Sequence, residues 1–256
     1  MDLGLAGRVA LVTGGSKGIG LAVARQLAEE GAELVLVSRT EPELAAAAGS
    51  IAARTGRTPR FATADVGDDA SVAALAEQVG PVAVLVNAAA TPNAGGFAES
   101  ELADHINVKV RGALRMARAF APGMVAAGWG RIINISGLGA RQTSSVVGSV
   151  RNVAVVAMTK NLADELGPQG VNVTVVHPGT TVTERTPAMV ARLAEQRYGG
   201  DTAAAELAMA RGVSIGRLVT AAEVADVVAF LASPRSVAIN GDVVAAGGGA
   251  RGAIHY

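Results

Sequence analysis

Seven short runs of β-branched and apolar residues, separated by stretches of helical periodicity, constrain this chain more than any other feature. They are "RVALV" (8–12), "ELVLV" (33–37), "RFATA" (60–64), "VAVLV" (82–86), "RIINI" (131–135), "VNVTVV" (171–176) and "DVVAA" (242–246). Runs that are apolar at almost every position suit strands buried on both faces, as in parallel sheets covered by helices. Between the first two, residues 18–30 carry Ile19, Val23 and Leu27 at helical spacing, and Gly31 stands where a helix C′ residue turns left-handed. An Ala-rich helix is expected over about 41–54, and further helices over about 100–120 and 148–166. The expected architecture is a doubly wound, Rossmann-type α/β fold. A parallel seven-stranded sheet carries helices on both faces, in a single domain spanning 1–256. Residues 180–212 break the rhythm and read as an inserted flap.

Composition removes several classes of function. Lys plus Arg and Asp plus Glu both number 22, so no charge excess points to nucleic acid or to a solvating tail. There is no cysteine, which excludes disulfides, thiolate catalysis and Cys-ligated zinc. His105, His177 and His255 are far apart in sequence, so no metal site is expected, and His177 reads as structural. The opening "MDLGLAGRVALVTGG" lacks a long apolar run, and a soluble, cytoplasmic protein is expected.

The first strand runs into "TGGSKGIG" (13–20), which opens the first helix. Gly14 permits a tight turn, Gly18 lets backbone approach a pyrophosphate, and Gly20 lets the helix lie close to the sheet. The helix N-terminus then offers free N–H groups and a positive dipole end to an anion. The spacing is G-x-x-x-G-x-G. In this form the loop resembles the cofactor loop of the short-chain dehydrogenase/reductase family. Further motifs follow in the family's order: "ADV" (64–66), "VLVNAAA" (84–90), "INVKVRG" (106–112), "GRIINIS" (130–136), "VNVTVVHPGTTVT" (171–183), "GRLVTAAEVADVVAFLAS" (216–233) and "NGDVVAAGGG" (240–249). The sequence departs from the family at Ala88, Ala90 and Gly247. The resemblance implies cofactor contacts from Gly14, Ser16, Lys17, Gly18, Ile19 and Gly20, from Asp65 and Val66 beside adenine, from Asn87, and from Pro178, Gly179 and Thr183 beside nicotinamide.

Arg39 follows the second strand in "VSRT", where relatives that prefer NAD usually carry an acid. An acid there repels a 2′-phosphate, whereas a guanidinium binds it bidentately. Lys17 adds a second cation, and Ser38 and Thr40 add hydroxyls. The expected cofactor is NADP(H).

The family's proton donor is a tyrosine, with a lysine four residues later on the same helix face. Aligned through "MTKNLADEL" (158–166), the tyrosine position is Gly148 and the lysine position Asn152; through "GRIINIS", the serine position is Gly137. Ser136 is adjacent, but strand neighbours point to opposite faces. The conclusion does not depend on register, because the only tyrosines are Tyr198 and Tyr256 and the only lysines Lys17, Lys109 and Lys160. Of the four expected active-site residues only the asparagine remains, at Asn107, with a helix-kink role as the alternative. Ser144, Arg151 and Tyr198 are further candidates, each with an ordinary polar or surface role as the alternative; Arg141, Gln142, Ser145, His255 and Tyr256 complete the set.

The leading expectation is an atypical NADPH-dependent reductase of an activated or bulky carbonyl, quinone or enone, of specialised metabolism. A redox-neutral enzyme of the same fold (dehydratase, isomerase or cyclase) and a non-catalytic NADP(H)-binding protein are the alternatives. A small-molecule substrate is expected, with no nucleic-acid or membrane partner. By resemblance, a homo-oligomer, tetramer or dimer, is also expected.

Overall fold

A computed structural model describes residues 1–91, 99–143 and 145–252. In chain order, β1 (Val9–Thr13) leads to α1 (Gly18–Glu29), β2 (Glu33–Ser38) to α2 (Glu41–Thr55), and β3 (Arg60–Thr63) to α3 (Asp69–Val79). β4 (Val84–Asn87) comes before α4 (Glu99–His105), and a π-helical turn, Ile106–Arg111, joins α4 to α5 (Gly112–Ala126). Then follow β5 (Gly130–Ile135), α6 (Val146–Leu166), β6 (Val171–Pro178) and β7 (Thr181–Val182). The chain continues through α7 (Thr186–Arg197), α8 (Thr202–Ala210), β8 (Val219–Thr220), α9 (Ala221–Ala232) and β9 (Val243–Ala246).

The main sheet has the order β3-β2-β1-β4-β5-β6-β9. Its strands are parallel throughout, as the unbroken apolar runs require. Alternation divides the core. Val12, Leu36 and Val86 join Val23 and Leu27 of α1, Leu44 of α2 and Val228 of α9 on one face. Leu11, Val35 and Leu85 join Leu75 of α3, Met116 and Phe120 of α5 and Ala163 of α6 on the other. The seven expected strands are all present. The helix expected over about 100–120 is two helices with a π-helical turn between them. Residues 180–212 hold β7, α7 and α8, and the helices bury a small core of their own around Val190, Ala194 and Ala205. β7 pairs with β8 in a separate two-stranded ribbon, an element the sequence did not announce.

β1 is flanked by β2 on one side and β4 on the other, so the helices leaving β1 and β4 diverge to opposite faces. At such a point the carboxyl ends of the strands open into a crevice. No helix among the described residues is long and apolar enough to cross a membrane.

Candidate functional site

A cleft of about 740 Å3 lies at the carboxyl ends of the strands, lined by the segments that follow β1 to β6. Its first wall is the glycine loop. A Cβ on Gly20 would stand 2.2 Å from the Gly14 carbonyl oxygen, so only glycine lets α1 come this close to the loop. Gly14, at φ +65°, would bring a Cβ to 2.9 Å from the Ala88 carbonyl oxygen. Thr13 Oγ1 fixes the facing turn by accepting the N–H groups of Ala88 and Ala89. Gly18, at φ +57°, faces open space: a Cβ there meets nothing nearer than 3.9 Å. Lys17, the residue before α1, provides no side-chain cap, whereas Asp68 caps α3 and Thr220 with Glu223 forms a capping box on α9. The start of α1 is therefore left to an anion. The Glu184 carboxylate already takes one of its donors, the Gly18 N–H, at 3.2 Å.

The second wall carries cations. Arg39 lines the cleft, is exposed, and its guanidinium has no hydrogen bond or ion pair among the described residues. Lys17 is held by Glu43 at 3.1 Å, and Glu43 also accepts from Ser16 Oγ. The hydrogen bond from Lys17 holds the Glu43 carboxyl below its usual range. Asp65 lines the cleft with one carboxylate oxygen turned back to its own loop, accepting the Gly67 N–H. An open glycine cradle beside an unpaired guanidinium fits a dinucleotide that carries a 2′-phosphate.

Every cofactor residue expected from the sequence lines this cleft except Asn87. Asn87 is buried at the end of β4, where its amide donates to Asn134 Oδ1 at 2.9 Å, and Asn134 in turn donates to Thr159. It belongs to a network that ties β4 to β5 and α6.

The floor departs further from expectation. Asn107 does not reach the cleft. Its amide donates to the Gly67 carbonyl at 3.0 Å, and its Oδ1 accepts from Arg115, which Asp69 clamps from the other side. The stretch is a π-helical turn, in which the Gly112 N–H donates to the Asn107 carbonyl five residues back. Asn107 sits against the loop after β3, and Lys109, two residues on, lines the cleft. Lys109 is 8 % exposed, and its Nζ donates to the Ser136 carbonyl at 3.0 Å. Burial, with the Arg151 charge beside it, pushes its pKa down to about 7. The sequence holds one signal for it, a lone lysine among apolar residues in a chain that has three.

Gly137, Gly148 and Asn152 all line the floor. A Cβ on Gly137 would lie 3.1 Å from the Asn152 amide nitrogen, so the two share one space. Asn152 is 6 % exposed, and its Oδ1 has no partner among the described residues. Ser136 donates its hydroxyl to the Asn152 carbonyl, and so braces β5 against α6. Arg151 does reach the cleft, but its guanidinium is engaged by His105 Nδ1 and the Thr91 carbonyl. A guanidinium only donates, so His105 Nδ1 accepts and the imidazole is neutral. Burial first and the Arg151 charge second hold the His105 pKa down in agreement. Tyr198 lies outside the cleft, packed on the small core of α7 and α8. Ser144, His255 and Tyr256 lie outside the described residues.

Residues 14–251 match the family model described as Enoyl-(Acyl carrier protein) reductase. The chain is 35% identical over 249 residues to the short-chain reductase protein NovJ of Streptomyces niveus, covering 94% of this chain and 93% of that one. It is 32% identical over 261 residues to the 3-oxoacyl-[acyl-carrier-protein] reductase FabG of Vibrio harveyi, covering 96% and 98%. Among solved structures, L-sorbose reductase from Gluconobacter frateurii, complexed with NADPH and L-sorbose, superposes with a TM-score of 0.93 at 30% identity, covering 99% of this chain and 100% of that one.

Proposed function

The chain belongs to the short-chain dehydrogenase/reductase family, and on that premise we propose that it is an NADPH-dependent reductase of an activated or bulky carbonyl, quinone or enone. The observation that carries the proposal is the continuity of one cleft, from the glycine loop and Arg39 at one end to Lys109, Gly148 and Asn152 at the other. The first end suits the cofactor and the second a polar, roomy acceptor site.

Bound NADPH supplies a hydride to the acceptor carbon. The chain's own residues do the rest. Lys17 and Arg39 neutralise phosphates, and the start of α1 offers N–H donors to the pyrophosphate. Pro178, Gly179 and Thr183 wall the nicotinamide end, and residues 180–212 cover the substrate. No phenol enters the floor from the described residues. The family's phenol contributes general acid catalysis worth about 10²–10⁴-fold, so without it an acceptor whose developing oxyanion is stabilised, such as a quinone, is favoured over a simple ketone. Glycine at 148, where the family has its tyrosine, suits a bulky, polycyclic acceptor. The absence of the family's tyrosine–lysine pair and a homo-oligomeric assembly are part of this reading.

NADPH fluorescence titration of the pure protein, followed by anaerobic turnover with a panel of quinones, enones and ketones, tests it. Saturable binding with acceptor-dependent NADPH oxidation is expected. No saturable binding, or product formed without NADPH consumption, would overturn it in favour of a redox-neutral enzyme. Tight binding with no turnover across the panel would leave a nucleotide-binding protein without catalysis.

A further inference from the structure

Among the described residues the cleft floor holds two polar groups that the cofactor contacts given above do not include: the Lys109 amine and the Asn152 amide. Lys109 is almost wholly buried, yet its Nζ sits at the cleft wall with one protein acceptor, the Ser136 carbonyl at 3.0 Å. An ammonium has three N–H bonds, so two are left over. Asn152 presents a buried Oδ1 with no partner among the described residues, and its amide fills the space beside Gly137 that a side chain there would need. A buried polar atom left unpaired is costly, and a ligand that pairs with it recovers that cost.

We infer that Lys109 is the proton donor of this site: its ammonium holds the carbonyl oxygen of the acceptor and protonates it, while the Asn152 amide orients a neighbouring hydroxyl or N–H of the same substrate. The inference rests on the reductase reading given above. In the balance of the step, the acceptor's C=O π bond is replaced by a C–H and an O–H bond; in a quinone the carbonyl alcohol so formed tautomerises, the C–H proton passing to the second oxygen, to give the hydroquinone. The C–H pair comes from the cofactor's hydride and the O–H proton from Lys109, which is left as the neutral amine. Water at the cleft mouth returns the proton. An acceptor with a hydrogen-bond donor next to its carbonyl, such as an α- or β-hydroxy ketone or a hydroxyquinone, satisfies both groups at once.

The charges around Lys109 favour this role. Arg151, on α6, is the charge that acts on it, and it opposes the protonated form. His105, one turn earlier, is engaged with Arg151, and Glu101 acts on His105 and Arg151. His177, on β6, is held uncharged by burial down to about pH 4. An amine poised in this way is protonated below neutrality and gives the proton up readily.

The test compares wild type with Lys109→Gln and Lys109→Arg. Both replacements keep a donor for the Ser136 carbonyl, and Arg also keeps the charge. NADPH binding is expected to stay within about threefold in both, because Lys109 lies apart from the phosphate end. With 9,10-phenanthrenequinone and with a hydroxylated naphthoquinone as probes, wild-type kcat/KM should fall about tenfold per pH unit above neutrality. Both variants should lose about 10²-fold at pH 6 and show no such limb. Independently of turnover, [13C]lysine labelling gives three Cε resonances, and the one removed by Lys109→Gln should titrate near pH 7 in the protein without cofactor. Retained activity with an unchanged pH limb in Lys109→Gln, or a Lys109 resonance that moves only above pH 9, would overturn the inference. Failure of wild type to bind NADPH or to turn over would instead strike the reductase reading, since the lysine titration stands apart from it.

Discussion

Arg39 is exposed, lines the cleft and has no partner among the described residues, so its guanidinium carries no structural duty there that a substitution would disturb. A hydrogen bond to a charged group is worth about 1.5–3 kcal/mol, and that is roughly 10–100-fold in affinity. Arg39→Ala should weaken NADPH by that factor and leave NADH and thermal stability unchanged, as read by fluorescence titration and melting. Equal losses for both nucleotides would remove the 2′-phosphate from this position. Lys109 makes the opposite case, a charge that costs stability. Burial, with Arg151 second, lowers its folded-state pKa from 10.5 to about 7. The unfolded chain therefore binds more protons than the folded one between those values, and wild-type stability is lost as pH falls from 10.5 to about 7. Lys109→Met escapes this loss. In urea unfolding the variant should gain on wild type by a few kcal/mol between pH 9.5 and pH 6.5, even while activity falls. A gap that does not widen over that range would mean the amine is not desolvated. The sequence hid this residue, because no periodicity separates a lysine that snorkels to solvent from one that is held inside.

At the scale of elements, a π-helical turn interrupts the helix that carries Asn107 and Lys109. Asn107 was legible as a motif residue, with a helix kink as the alternative to catalysis, and the kink is what the structure shows at its carbonyl. The single backbone bond from Gly112 to Asn107 that records it leaves no mark on composition. The glycine loop was fully legible, since Gly14 and Gly20 are fixed by contacts that no side chain survives. The contact between residues 180–212 and that loop was not, because it joins positions 166 residues apart. Glu184 takes the Gly18 N–H that a pyrophosphate oxygen needs. A charge at a helix N-terminus is worth about 0.3–1 kcal/mol, or roughly two- to fivefold. Glu184→Gln should tighten NADPH binding by that factor, and most at low ionic strength. Weaker binding in the variant would show that the carboxylate assists the cofactor and does not compete with it.

Across the whole molecule, the sheet and its two packed faces follow from the seven apolar runs, since a parallel sheet covered by helices buries both sides of its central strands. The ionisable groups buried at the carboxyl edge of that sheet set how the molecule responds to acid. His177, on β6, is 1 % exposed, and neither ring nitrogen has a partner among the described residues. Burial first, then the charges of Arg141 and Lys109, push its pKa down to about 4. The folded state thus refuses a proton that the unfolded chain accepts near pH 6.5. The stability it contributes is complete above 6.5 and is lost as pH falls from there towards 4. Carboxylates act lower. Glu223, held to about 2 first by its hydrogen bond from Arg217, contributes stability that is lost only as pH falls from 4.5 towards 2. The two windows barely overlap, so a single substitution separates them. His177→Leu should flatten the fall in urea-unfolding free energy between pH 6.5 and 4.5 and make the variant the more stable protein at pH 4.5, while the steep loss below pH 4 persists. An unchanged slope between 6.5 and 4.5 would move the acid sensitivity to His105, whose pKa is lowered in the same direction by its own burial and by Arg151.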